Sequence, residues 1–361
     1  MRVQSLRAGG MRRAVVAMGA AIMAILVTAV AGMGTAGATP GNGKAAAGTI
    51  PGATLVKPSG VGPESHDFMS SYLYSIAHPG VMPQGVNNYG CRSKEHPNPV
   101  VLVHGTWDSA YGGFAMLAPE LKRAGYCLFA MNYGNEDTSA LGLIPGIYGT
   151  GDLMTSSRDV AKFVDSVIKR TGAKKVDLIG HSQGGIHTRM FVQDYGGANA
   201  KQPLKNKVDK VIGLAADNHG TTLSGIAAIG GMLQDWGIPV LDVTGIPLGL
   251  GGVQQAIGSP AIRYLNRNGD TRPGIEYTMI ATRYDWNVTP YSGAFLAHEA
   301  NSSVHNITLQ DGCAADYSEH LSITFDPRAI WYVKAALDPS VAANSKPPCG
   351  FVAPFFGAVG K

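Results

Sequence analysis

Ser182 stands in "KVDLIGHSQGG", with Gly180 two residues before it and Gly184 two residues after. An apolar run ends there and a helix-like pattern begins. Gly-x-Ser-x-Gly at a strand-to-helix turn is a nucleophile elbow, which holds a serine hydroxyl clear of the sheet over the positive end of the next helix. Gly180 and Gly184 give neighbouring elements room to approach. A helix N-cap is the plainer role for such a serine.

A serine hydroxyl attacks well only with a base beside it and a carboxylate holding that base. In sheets of this kind the chain order is Ser, then Asp or Glu, then His. Asp285 ends the run "IEYTMIATRYD" and is the acid expected, although a turn-forming aspartate would look similar. His320 follows 35 residues later, just before the last helix-like pattern, and is the expected base. His298 is the fallback, and His305 begins a strand at the wrong end. The developing oxyanion needs two backbone N–H groups. Gln183, next to the nucleophile, supplies one. Thr106 in "VLVHGTW" supplies the other from the loop after an earlier strand. His104 precedes that loop and is expected to brace it.

The elements around these residues alternate. "PVVLVHG" (99–105) is a strand, "YGGFAMLAPELKRAGY" a helix ending at Gly125, and "CLFAMNYG" (127–134) a strand. "SSRDVAKFVDSVIKRTG" places Val160, Phe163, Val164, Val167 and Ile168 on one helical face. "KVDLIG" is a strand followed by a helix from Gln183, and strands are expected at 210–216, 274–285 and 304–309. "PRAIWYVKAALD" closes with a helix. Strand and helix in alternation predict an α/β protein with a mostly parallel, doubly wound sheet and helices on both faces. Chemistry then gathers at the carboxyl ends of the strands. Residues 221–262 interrupt the alternation with an apolar stretch whose only charges are Asp235 and Asp242, read as a cap or lid, with a buried helical insertion as the alternative.

The N-terminus reads differently. Four arginines precede an uncharged apolar run, and Ala36-Gly37-Ala38 resembles a cleavage site. Residues 1–38 are therefore expected to be a secretory signal peptide, with a membrane anchor as the alternative. Residues 39–60 look like a flexible leader, and 61–361 like the catalytic domain. The whole chain of 361 residues has a formal charge of +4, which falls to about zero without those arginines. Nothing basic remains to favour nucleic acid. Export to an oxidising compartment turns Cys91, Cys127, Cys313 and Cys349 into two disulfides. Of three connectivities, Cys91–Cys127 and Cys313–Cys349 are favoured, because each pair lies near neighbouring elements. No metal site is expected, since Cys-x-x-Cys and His-x-x-x-His spacings are absent.

The set "VVLVHGTW", "GYCLFAMNYG", "VDLIGHSQGG", "DNHGTTL", "GDTRPGIEYTMIATRYDWNVTPY" and "LQDGCAADYSEHLSI" resembles the secreted bacterial triacylglycerol lipases and esterases of the α/β-hydrolase fold. The resemblance runs from about Pro99 to Asp338. It implies that Ser182, Asp285 and His320 form a catalytic triad and that Thr106 and Gln183 donate to the oxyanion. It also implies acyl transfer to water without a cofactor, a lipid or ester substrate, and transient contact with a lipid–water interface. Trp286 and Asn287 depart from the pattern, where smaller or acidic residues are frequent. A short-chain carboxylesterase and a cell-envelope acyltransferase share the same residues and are the alternatives.

Overall fold

The computed structural model describes residues 54–222, 248–299 and 301–358. The expected signal peptide, most of the leader and the stretch 223–247 of the expected cap lie outside the described residues. The chain order begins with β1 (Thr54–Val56), β2 (Gly60–Val61), α1 (Phe68–Ala77), β3 (Val81–Met82) and β4 (Val100–Val103). It continues with α2 (Ala110–Phe114), α3 (Leu117–Arg123), β5 (Leu128–Ala130), β6 (Asn132–Asn135), α4 (Leu153–Thr171), β7 (Val176–His181), α5 (Gln183–Asp194) and β8 (Val208–Leu214). Beyond residue 247 come α6 (Leu250–Val253) and the start of α7 (Pro260–Asn266), both within the stretch expected as a cap, and then β9 (Glu276–Ala281), β10 (Ser303–Thr308) and α8 (Pro327–Leu337).

Six strands form one sheet in the order β10-β9-β8-β7-β4-β5, and every pairing is parallel. The chain thus winds outward in both directions from β4 and β7. Side chains alternate across the strands, so each strand feeds two cores. Val100 and Leu102 of β4 face a core with α1, α2, α3 and α8, whereas Val101 and Val103 face one with α4 and α5. All four are fully buried, which explains the unbroken apolar run of the sequence.

Helix α4 follows its sequence signals closely. The Asp152 carboxylate accepts from Thr155 N at 2.8 Å, and Gly172 closes the helix at φ 71°. Val160, Val164 and Val167 of the expected face are buried, and Phe163 and Ile168 flank them half-buried.

Three expected elements differ from the sequence reading. The helix expected before Gly125 is two helices, α2 and α3. Pro119 tolerates only a first turn, because its ring would clash with the carbonyl four residues back. The strand expected at 127–134 is also two: β5 pairs with β4, but β6 leaves the sheet to pair antiparallel with β1. The strand expected to reach Asp285 stops at Ala281, where Asp285 N turns back to Thr282 O at 3.2 Å. Helix α1, started by Asp67 accepting from Ser70 N at 2.7 Å, was not anticipated.

Two disulfides close the described chain, Cys91–Cys127 and Cys313–Cys349. Among the described residues no helix is long and apolar enough to cross a membrane.

Candidate active site

The carboxyl ends of β4, β7 and β9 converge on one cleft. Ser182 occupies the corner between β7 and α5 with φ 54° and ψ −123°, a left-handed backbone that costs a non-glycine residue about 1–3 kcal/mol. Its side chain does not cap α5, so the N-cap role is excluded. The neighbouring strand pins the corner: Ser182 N donates to Leu214 O at 3.0 Å, and Asp217 N donates to Ser182 O at 3.1 Å. The two glycines permit the turn. A Cβ on Gly180 would lie 2.5 Å from Gly184 C, and one on Gly184 would lie 2.1 Å from Val103 O.

His320 bridges the other two residues. Its Nε2 lies 2.9 Å from Ser182 Oγ and its Nδ1 lies 3.0 Å from Asp285 Oδ2. All three side chains are buried. Asp285 is also the turn-former: its Oδ1 accepts from Asn287 N at 2.9 Å and Val288 N at 2.8 Å. Burial pulls the His320 imidazole towards neutrality, but the charge and hydrogen bond of Asp285, with the Glu319 carboxylate nearby, outweigh it. The net effect holds His320 above its ordinary value. A line of Ser Oγ, imidazole and carboxylate in this geometry can pass a proton from the hydroxyl to the ring and stabilise the imidazolium formed.

Thr106 follows β4 and lines the cleft with Ser182 and His320. Gln183 opens α5, where the first backbone N–H groups have no partner within the helix. Its side chain turns inward instead: Nε2 donates to Gly149 O and Gly251 O, each at 3.2 Å, and Oε1 accepts from Tyr133 OH at 3.1 Å. His104 braces the Thr106 loop. Its Nδ1 donates to Gly105 O at 2.8 Å, its Nε2 accepts from Tyr133 N at 3.3 Å, and burial pushes it down to about 4. His298 is engaged elsewhere, donating to Val304 O at 3.0 Å. His305 is exposed on β10.

Several residues around the site escaped the sequence reading. His181 donates through Nε2 to His320 O at 2.8 Å and, pushed down to about 3 by burial and by His320, stays neutral. Glu319 is fully buried and accepts four hydrogen bonds, from Ser322 N, Phe355 N, Leu321 N and Trp286 Nε1. Trp286, singled out as a departure from the pattern, thereby ties the Asp285 turn to the His320 loop. The adjacency of His181 to Ser182 and of Glu319 to His320 was the available signal. Asp217 is buried, its carboxyl oxygens have no side-chain partner among the described residues, and burial pushes it up to about 8. One wall of the cleft comes from an element the sequence reading did not anticipate. Helix α1 supplies Phe68, Met69, Tyr72, Leu73 and Ile76, and Trp107, Trp286 and Leu321 complete an apolar lining.

A family model described as Lipase (class 2) matches residues 97–303, which include Ser182 and Asp285. Among solved structures, Aspergillus fumigatus lipase B is similar at 21% identity and a TM-score of 0.50, covering 74% of this chain and 61% of that one. The chain therefore spans less than two thirds of that lipase. The mature-form lipase BlEst2 of Bacillus licheniformis is similar at 18% identity and TM-score 0.36, over 64% of this chain and 83% of that one. A structure of the metagenome-derived lipolytic enzymes LipS and LipT matches at 15% identity and TM-score 0.45, over 73% of this chain and 98% of that one. With the parallel sheet order, the first of these likenesses shows the α/β-hydrolase fold.

Proposed function

The chain belongs to the class 2 lipase family, and from that premise we propose that it hydrolyses carboxylic esters of lipids through an acyl-enzyme on Ser182. The observation that carries the reading is the unbroken line of hydrogen bonds from Ser182 Oγ through His320 to Asp285. His320 Nε2 takes the hydroxyl proton as Ser182 attacks the ester carbonyl. The carbonyl oxygen, now negative, is held by the backbone N–H groups of Thr106 and Gln183. His320 returns the proton to the departing alcohol. Water then repeats the sequence and releases the acid, while Asp285 holds the imidazole throughout.

The apolar lining of the cleft supports an acyl chain as the group bound there, since each buried methylene contributes about 0.8 kcal/mol. In this reading residues 61–361 form one catalytic domain and 221–262 a cap beside the cleft. Residues 1–38 direct export and 39–60 link the two. The two disulfides support an oxidising destination. Contact with a lipid–water interface follows if emulsions are the substrate.

The test is hydrolysis of p-nitrophenyl esters from acetate to palmitate, and of emulsified triacylglycerol, by the mature protein and by Ser182→Ala. Cleavage of long chains and of the emulsion by the wild type alone supports the lipase reading. Activity restricted to short chains makes the protein a carboxylesterase. Transfer to an added alcohol in preference to water makes it an acyltransferase. Equal activity in the variant removes Ser182 as nucleophile.

A further inference from the structure

Two buried carboxyl groups flank His320 in the chain, Asp316 before it and Asp326 after it. Asp326 is the N-cap of α8, and its Oδ1 accepts from Arg328 N at 2.7 Å. Asp316 Oδ1 accepts from Ser318 N at 2.9 Å. The Ser318 hydroxyl lies between the two acids, 2.7 Å from Asp316 Oδ1 and 2.8 Å from Asp326 Oδ2. The Ser318 carbonyl accepts from Thr282 Oγ1 at 2.6 Å. Ser318 therefore joins the end of β9, the His320 loop and the start of α8.

The two hydroxyl contacts need two protons. A serine hydroxyl brings one, and an ionised carboxylate brings none. Ser318 can donate to one acid only, so the other must carry its own proton and donate to the serine oxygen. Burial, then the charge of Asp316, push the Asp326 carboxyl up to about 8, which puts that proton on Asp326. Few other titratable groups face the pair. The Arg328 guanidinium donates instead to the carbonyls of Leu309, Asp311 and Pro348. Tyr284, packed on Tyr317 beside Asp316, is held above its ordinary value and is neutral. The C-terminal residues 348–352, which line the same pocket, bring no titratable side chain, because Cys349 is in a disulfide.

We propose that Asp316 and Asp326 are positioning residues: one proton shared through Ser318 locks the His320 loop onto the start of α8, and its loss at alkaline pH withdraws His320 from Ser182. The inference rests on the reading of His320 as the base for Ser182. Hydroxide takes the proton and leaves as water. Two carboxylates then face one hydroxyl, and one keeps a buried charge without a donor. The folded pair binds this proton more tightly than the unfolded chain, whose aspartates ionise near about 4. Stability therefore falls as pH rises from about 4 to about 8, and above that the folded loop carries both charges.

The experiment measures kcat on a soluble p-nitrophenyl ester from about pH 6 to 10 for the wild type and Asp326→Asn. The asparagine copies the protonated acid at every pH: its oxygen accepts from Arg328 N, its nitrogen donates to Ser318 Oγ, and it remains a good N-cap. The wild type is expected to lose about tenfold or more of its kcat by about pH 9.5, whereas Asp326→Asn stays within about twofold of its value at pH 7. Trp286, bonded to Glu319 of the same loop, reports the loop without turnover. Tryptophan fluorescence should change through this pH range in the wild type and in Ser182→Ala, but not in Asp326→Asn. Thermal melting at both ends of the range shows that each protein is folded. An alkaline loss that Asp326→Asn leaves in place overturns the inference, whether or not Asp217→Asn moves it. So does activity at pH 7 that EDTA removes and calcium restores, because a cation would then hold the pair. Ser182→Ala separates the two claims: activity in that variant defeats the nucleophile reading, whereas an inert Ser182→Ala without the fluorescence change defeats only the acid pair.

Discussion

Asp285 divides its two oxygens between two tasks, one holding the turn that follows and the other facing His320. Replacing it with Asn should preserve the turn, since the amide oxygen can still accept from Asn287 N and Val288 N. The imidazolium, however, loses its counter-charge. We expect Asp285→Asn to lower kcat by about 10⁴, the loss seen when the same change is made in a serine-protease triad. His320 must be neutral to act as base, and its folded value is raised. The acid limb of kcat/KM should therefore lie above pH 6.5 and should move downward in Asp285→Asn, as a pH profile of the residual activity would show. Asp217 gives a contrasting outcome. Burial pushes it up to about 8, so it carries a proton at pH 7, and Asp217→Asn should leave kcat there within about threefold. The residues legible in the sequence were those with a position in a chain order: Ser182 in its elbow, Asp285 past a strand, His320 before the last helix. The pairing of Asp316 with Asp326 was not legible, because nothing local marks two aspartates that meet through a serine only once the loop has folded.

Elements rather than single groups decide whether the nucleophile is presented at all. β7 and α5 meet at a corner so tight that the backbone of β4 touches the position of a Gly184 side chain. A methyl group there has only backbone to displace. Gly184→Ala should destabilise the fold by about 1–3 kcal/mol or more, and should reduce activity in the fraction that remains folded, because the corner must open. Denaturant unfolding alongside kcat measures both. The elbow was legible because strand, glycines and helix all agree locally. Helix α1 was not. The side chains it buries are Phe68, Ser71, Tyr72 and Ser75, so half of its inward stripe is serine and no apolar period stands out. The break between β5 and β6 was equally hidden. "CLFAMNYG" reads as one strand, and only β1, about 75 residues upstream, draws its second half away from the sheet.

At the scale of the molecule, the two disulfides close loops of equal separation, 36 residues, and so constrain the unfolded chain alike, by about 4 kcal/mol each. Their positions differ. Cys127 sits at the amino end of β5, away from the cleft. Cys313 and Cys349 join the loop leading to His320 to the C-terminal strap, whose Phe355 N donates to Glu319. Replacing either pair with serines should lower stability similarly, but only the Cys313–Cys349 replacement should also reduce kcat of the folded protein. Denaturant unfolding and kinetics on both variants check this. The parallel sense of the sheet followed from the alternation of strand and helix, and each cysteine pair lies near neighbouring elements, as read. The cleft wall did not follow, because α1 reaches it across the fold. The central claim is that Ser182 is the nucleophile, and labelling with a p-nitrophenyl alkylphosphonate followed by peptide mass spectrometry tests it most directly. One phosphonyl group on Ser182, in step with loss of esterase activity and absent from His320→Ala, is the result expected. A modified residue other than Ser182, or full inactivation with Ser182 unmodified, would contradict it.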